Sequence, residues 1–535
     1  MTRTFASVFI AAILIALPAS TTLAQDHGHT SEQLGSVHFA TTCAAKVAPQ
    51  FDRAVALLHS FEFGESIKTF TGVLTTDSTC AMAHWGIALS RWTNPMAAGN
   101  RSPQTLRQGR EAAAAATRLA ARASAREREY ISAVSRLYED FEHTDQQTRV
   151  VAYEHAMSEL VAHQPADTEA KIFYAISLAA SAAPTDKTYA NQLKAGAMLE
   201  SLWAKQPNHP GLAHYIIHSY DYPALADKAR AAAQRYADIA PSAAHALHMP
   251  SHTFTRVGLW QQSVNTNERS FRAAVSTSSI AEALHASDYA MYANLQMGKL
   301  AEAKAILDGL PALAARFDPN AVTGAAPGSA GVFALAAIPA RWVLERAAWV
   351  EAAALQPKAS AFPYAEAMTY FARGLGAVRT GALANAKASR DSLASIQQRL
   401  RAAGEPYWSE QVAIQQLAVQ AWIDLAEKRE NDALAKMREA AAREDATEKS
   451  AVSPGPLAPA RELLGDMLME LGRPREALAA YRATLVKEPN RFHALCGAVK
   501  TASAAGDRAS AARFAAQVRE LTGSKYSCVA SRDAN

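Results

Sequence analysis

Cysteine is scarce here: four residues in a chain of 535, and no Cys-x-x-Cys among them. That excludes a disulfide-dense scaffold and a thiolate-built metal cluster. Neither sign of charge predominates, with 54 Lys and Arg against 50 Asp and Glu and a net charge of +4. Such a balance leaves no field strong enough to hold nucleic acid or an anionic membrane as the main partner. Runs of β-branched residues are missing, which argues against sheet. Outside the extreme N-terminus no apolar stretch approaches the roughly 20 residues of a spanning helix. With a mean hydropathy of −0.11, a multispan membrane protein is excluded. There is no Gly-rich phosphate loop, nucleophile elbow or His-Glu-x-x-His, so the common nucleotide-binding, serine-hydrolase and zincin signatures are all missing.

The one apolar segment lies at the start of the chain. Arg3 precedes an apolar stretch from Phe5 to Leu17, Pro18 breaks it, and Thr22-Leu23-Ala24 supplies small residues at a cleavage site. This pattern predicts a signal peptide over 1–24, too short to span comfortably. The expectation is an exported protein, periplasmic or secreted, with no stable membrane insertion after cleavage.

What remains is rich in Ala, Leu, Glu, Arg and Gln, punctuated by Gly and Pro at helical-hairpin intervals. The clearest unit runs from Ala458 to Arg491, with Leu464-Gly465, Leu468, Gly472, Ala477, Tyr481 and Pro489 in order. Small residues let two helices approach, a glycine takes the turn, and a proline closes the second helix. These positions resemble the tetratricopeptide repeat, a 34-residue helix–turn–helix. Val47–Cys80, Pro210–Pro241, Ala244–Thr277, Leu284–Phe317 and Phe492–Lys525 follow the same frame, and degenerate units fit around Phe333–Gln356, Ala367–Gln397 and Ile414–Thr447. The resemblance implies an all-α fold, a right-handed superhelical solenoid of antiparallel helix pairs. The predicted organisation is an N-terminal arm over 25–46, a first solenoid block over 47–317, a Gly/Pro-rich loop over 318–331, degenerate repeats over 332–449, a Pro-rich loop over 450–457 and a final repeat pair over 458–535.

In that frame Cys43 and Cys80 flank the first hairpin, and Cys496 and Cys528 the last. The flanking ends of an antiparallel hairpin are neighbours, so Cys43–Cys80 and Cys496–Cys528 are the predicted disulfides. Each staples a terminal repeat that lacks a neighbour on one side.

Histidine carries the chemistry. His214-x-x-x-His218 and His248-x-x-x-His252 are offset by 34 residues, one repeat. Residues at i and i+4 share a helix face. In the repeat family the first helix of each unit lines the concave groove, which would gather His214, His218, Asp221 and Tyr222 from one unit. The next units would add His245, His248, His252 and Arg256, then His285, Asp288 and Tyr292. Three readings stay open: a Zn or Cu ion held by His214, His218, His248 and His252 with Asp221 or Asp288 in support; a surface gripping an acidic peptide, a carboxylate terminus or a small anion; or satisfied polar residues packing helix on helix. A metal could serve structure, storage or hydrolysis. Pro250 falls inside a first helix and predicts a kink between His248 and His252. His59 is placed where it could reach the same groove.

The stretch from His209-Pro210-Gly211-Leu212-Ala213-His214 through His248-Met249-Pro250-Ser251-His252 to Gly258-Leu259-Trp260 is similar to a group of exported bacterial tetratricopeptide-repeat proteins. Leu34-Gly35-Ser36-Val37-His38-Phe39, Phe61-Glu62-Phe63 and Ala83-His84-Trp85-Gly86 resemble it too. The group implies fold and export, and the wider family implies a protein or peptide partner, here in the cell envelope.

Overall fold

The computed structural model describes residues 1–2, 32–97, 99–183, 185–523 and 528. The signal-peptide reading, over 1–24, lies almost wholly outside them. Among the described residues there is no strand, and no helix is long and apolar enough to cross a membrane. Helix pairs succeed one another from Ala48–His59 with Phe63–Thr76 to Phe492–Ala504 with Arg508–Thr522. Each helix packs on its neighbours in chain order. This is the tetratricopeptide-like solenoid that the spacing of small residues predicts.

The local causes are those of the repeat. Gly465 lies against the Tyr481 ring, where an added Cβ would meet ring carbons at 2.8–3.0 Å. Prolines open Pro210–Ser219, Pro363–Arg379, Pro406–Ala426 and Pro474–Lys487, where their missing N–H costs nothing. Boundaries shift in two places. The helix Ile280–Gln296 starts a turn before the predicted Leu284, because Ser278 in the left-handed region (φ 58°) already closes the preceding helix. Gly328–Glu345 begins inside the predicted 318–331 loop.

Both disulfides are present, with Cα–Cα separations of 4.9 Å for Cys43–Cys80 and 5.2 Å for Cys496–Cys528. The arm before the first repeat is packed, with Leu34 and Phe39 buried. The last repeats return to the middle of the chain. Trp260 Nε1 donates to the Asn490 carbonyl at 2.9 Å, Asn490 Nδ2 to the Gly258 carbonyl at 3.2 Å, and the Phe492 N–H to Gln296 Oε1 at 2.9 Å. Gly258 has φ +69°, and a Cβ there would stand 2.5 Å from the Pro489 carbonyl oxygen. Only glycine permits both the turn and this approach.

Candidate metal centre

Pro210–Ser219, the helix pair Ala244–His248 and Pro250–Arg256, and Ile280–Gln296 lie side by side and carry the histidines. At the predicted kink the helical hydrogen-bond pattern is interrupted between His248 and Pro250, while Met249 keeps right-handed helical dihedrals (φ −53°, ψ −35°). The imidazoles form a continuous row, with ring centroids 4.8 Å apart for His214–His218, 5.0 Å for His214–His245, 5.8 Å for His245–His248, 5.0 Å for His248–His252 and 4.4 Å for His248–His285. All six are buried, from 0% exposed for His214 and His248 to 5% for His285. They do not face open solvent.

The two pairs do not converge as one four-ligand set. Ring nitrogens group instead as His214, His218 and His245, and as His248, His252 and His285, each trio within 4.8 Å of one another. His245 precedes His248 by one turn and reaches back to the previous helix, and His285 does the same from the next. Each pair thus takes its third imidazole from the neighbouring repeat.

Hydrogen bonding decides where the lone pairs point. His214 Nδ1 lies 2.6 Å from the His59 carbonyl oxygen. A carbonyl only accepts, so Nδ1 carries the proton and Nε2 the lone pair. His245 Nδ1 lies 3.0 Å from Glu282 Oε1, with the same consequence. The Nε2 atoms of His214, His218 and His245 are all buried without a hydrogen-bond partner. In the second trio His248 Nδ1 is 2.7 Å from Asn267 Oδ1, and that amide is oriented by its Nδ2 donating to the Ser263 carbonyl at 2.7 Å. His252 Nδ1 is 2.8 Å from Asp221 Oδ2. The Nε2 atoms of His248 and His252 then face each other at 3.1 Å, and His285 Nδ1 is buried without a partner.

Burial holds His214, His218, His248, His252 and His285 neutral. It pushes His214, His218 and His248 well below the ordinary histidine range, helped by the neighbouring imidazoles, and lowers His252 to about 4 and His285 to about 3. The carboxylates behind them stay ionised. Burial opposes this at Asp221, but Lys449, Arg256 and His252 outweigh it, and His245 does the same for Glu282. Glu62 accepts from the His245 backbone N–H at 3.2 Å; burial and the nearby Glu282 raise it to about 8.

Two connections cover the row. From 315–327, the Ala326 N–H donates to Glu282 Oε2 at 2.8 Å, and the Thr323 carbonyl accepts from the Gly64 N–H at 2.8 Å. From 447–459, Lys449 Nζ reaches Asp221 Oδ2 at 3.0 Å and Tyr289 Oη at 3.3 Å, and the Ser453 carbonyl accepts from Tyr289 at 3.0 Å. Arg341 Nη atoms donate to the Gly455 carbonyl at 2.9 Å and the Pro456 carbonyl at 3.1 Å. The predicted Pro-rich loop is therefore a strap against the histidine row.

The remaining predicted residues divide. Arg256 clasps Asp221 through Oδ1 at 2.9 Å and the main-chain carbonyl at 2.8 Å. Tyr222 turns away to Gln192 and Tyr189. Asp288 and Tyr292 do not support the histidines. Asp288 pairs with Arg341 at 2.8 Å, both side chains fully buried. Tyr292 bonds Arg491 at 3.0 Å and Glu488 at 3.2 Å. Buried guanidinium groups demand anionic or acceptor partners, and these arrive from the C-terminal half. His59 belongs to a third group, with Nε2 2.8 Å from Glu169, which also takes His209 Nε2 at 2.9 Å. Glu282, Asn267, Glu169 and Lys449 carry no local sequence signal, although Glu282 lies one turn before His285.

No family model matches this chain, and no curated protein matches it. Among solved structures it is similar to yeast Tom70 (11% identity over 89% of this chain and 99% of that one, TM-score 0.38). The human IFIT1 dimer with m7Gppp-AAAA gives 10% identity over 82% and 90%, TM-score 0.37. The APC/C hetero-tetramer Cut9–Hcn1 gives 12% over 89% and 87%, TM-score 0.33. None of these scores reaches 0.5, so the architecture rests on this chain's own helix packing.

Proposed function

We propose that this is an exported helical-repeat protein that holds a first-row transition ion, Zn or Cu, in its buried histidine row. One observation carries the reading: the Nε2 atoms of His214, His218 and His245 are buried with no hydrogen-bond partner, and the three rings bring one nitrogen each within 4.8 Å of one another. Buried polar atoms are otherwise almost always satisfied, and three imidazoles sharing one space suit a Zn or Cu ion. Glu282 on His245 and the His59 carbonyl on His214 are the outer partners that orient such ligands. The ion would supply Lewis acidity or a redox centre, and His248, His252 and His285 form a second set. The two disulfides support an oxidising compartment.

A second reading, peptide recognition, also has an observation behind it. A non-helical segment, the 447–459 strap, already lies against the histidine row, held by Tyr289 and Arg341. A partner peptide would have to displace that strap.

Elemental analysis of protein purified without a polyhistidine tag tests the first reading. Stoichiometric Zn or Cu, lost in His214→Gln, is the expected result. Metal-free protein that stays metal-free after incubation with Zn(II) and Cu(II) rejects it.

A further inference from the structure

The two histidine trios differ in the charge around them. Against the first trio stands the ionised Glu282 carboxylate, on His245 Nδ1 at 3.0 Å; Glu62, on the His245 backbone N–H at 3.2 Å, is pushed up to about 8 by burial, and Asp221 and Lys449 act on His218 from farther off. At the second trio the Asp221 carboxylate meets two cations, Arg256 at 2.9 Å and Lys449 at 3.0 Å, besides His252 at 2.8 Å, and Glu282 acts on His285 from the same helix. Glu448 and Glu488 act on Arg256 from farther off, but Glu448 is held by Lys187 at 2.6 Å and Glu488 by Tyr292 at 3.2 Å.

The second trio nevertheless calls for positive charge. Two lone pairs face each other between His248 and His252 at 3.1 Å, and neutral rings cannot satisfy that contact. Lys449 brings positive charge beside the trio through Asp221, the carboxylate on His252 Nδ1. Its ammonium also touches Tyr289 Oη at 3.3 Å, and the Tyr289 ring lies 4.8 Å from His248, 5.0 Å from His252 and 5.1 Å from His285.

Lys449 rides on the strap, which is not helical. A cavity of about 90 Å³ is bordered by Lys449, Ser453, Gly455, Tyr407 and Glu488. The strap thus has room beside it.

We propose that Lys449 is a tethered stand-in for a second metal ion: the trio of His214, His218 and His245 loads with the strap closed, and the trio of His248, His252 and His285 loads only when the ammonium leaves Asp221. This rests on the metal-binding reading. Like charges a few ångströms apart in a dry interior repel strongly, so ammonium and ion exclude each other. Removing the ammonium leaves Asp221 still paired with Arg256 and His252, so the fold retains its ion pair.

The test is Zn(II) bound per chain after dialysis, in wild type, Lys449→Met and Lys449→Arg. The expected values are one, two and one. Two ions in wild type, or one in Lys449→Met, overturns the proposal and leaves metal binding intact. No ion in any of the three removes the metal reading and this inference with it. Wild-type protein gives a second measurement that does not depend on a variant's folding. In a Zn(II) titration the second ion should bind on the order of 100-fold more weakly than the first; equal affinities would overturn the proposal.

Discussion

The Nδ1 atom of His214 lies 2.6 Å from the carbonyl oxygen of His59, a residue 155 positions earlier. That carbonyl sits at the end of the helix Ala48–His59, where last-turn carbonyls lack intrahelical partners. Each group solves the other's problem: the helix end gains a donor, and the imidazole is fixed with its lone pair on Nε2.

Glu282 does the same for His245. Replacing it by Gln removes the charge while keeping the shape, and Zn(II) affinity should fall about 10- to 100-fold. Competition with a chelator of known affinity measures it; unchanged affinity would separate Glu282 from the site.

Asp288 and Arg341 form an ion pair with no exposed side-chain surface, and Arg341 also anchors the strap at the Gly455 and Pro456 carbonyls. Taking one partner from a buried pair leaves an uncompensated charge, at a cost of about 3–5 kcal/mol. Arg341→Met should lose stability on that scale in urea unfolding and become more susceptible to proteolysis within 447–459. The double replacement with Asp288→Asn should recover part of the loss.

The repeat frame was legible because its signals are local and periodic. Gly258 and Gly472 mark turns, Gly465 makes room for Tyr481, and a 34-residue offset relates the two histidine pairs. The disulfides followed, since a hairpin brings Cys43 to Cys80 whatever the rest of the chain does. The third ligand of each trio was not legible as one. His245 and His285 stood among the groove residues, but which pair each joins depends on how neighbouring helices lean together. Lys449 is 228 residues from Asp221, and Arg341 is 53 from Asp288; the curvature of the array sets such contacts. Asp288 and Tyr292 occupy the repeat positions expected to face the histidines, yet buried arginines claim them.

Gly258 ties the middle of the chain to its last repeats. Gly258→Ala introduces a left-handed alanine, about 1–2 kcal/mol of backbone cost, and drives its Cβ against the Pro489 carbonyl. Stability should fall by at least that much in thermal unfolding, with Trp260 fluorescence reporting loss of the contact to Asn490. Wild-type stability would mean that the closure is not tight.

His493 and Asp466 give a pH signature away from the metal ligands. Burial disfavours both charges, but each outweighs it for the other: His493 rises to about 10 and Asp466 falls below its usual 3.8. A raised histidine stabilises fully below the unfolded value of 6.5, and that contribution disappears as pH climbs through about 10. A lowered aspartate contributes above 3.8 and loses that contribution as pH falls through its folded value. The stability difference between wild type and His493→Gln should be largest between these limits and shrink from pH 6.5 to 10. Melting temperatures across that range check it; a constant difference would contradict the pairing.

Cys43–Cys80 closes a separation of 37 residues, a span for which a disulfide contributes about 3–4 kcal/mol through the unfolded chain. Cys80→Ser with Cys43→Ser should lower the melting temperature, and added reductant should lower wild type at least as far, because it also opens Cys496–Cys528. A wild type indifferent to reductant would show that the bridge is not formed.

The most direct measurement is anomalous diffraction at the zinc edge from crystals of the Zn(II)-loaded, tag-free protein. The account predicts a peak enclosed by His214, His218 and His245, within bonding distance of their Nε2 atoms. Anomalous signal confined to exposed side chains such as His143, with those three nitrogens still partnerless, would contradict it.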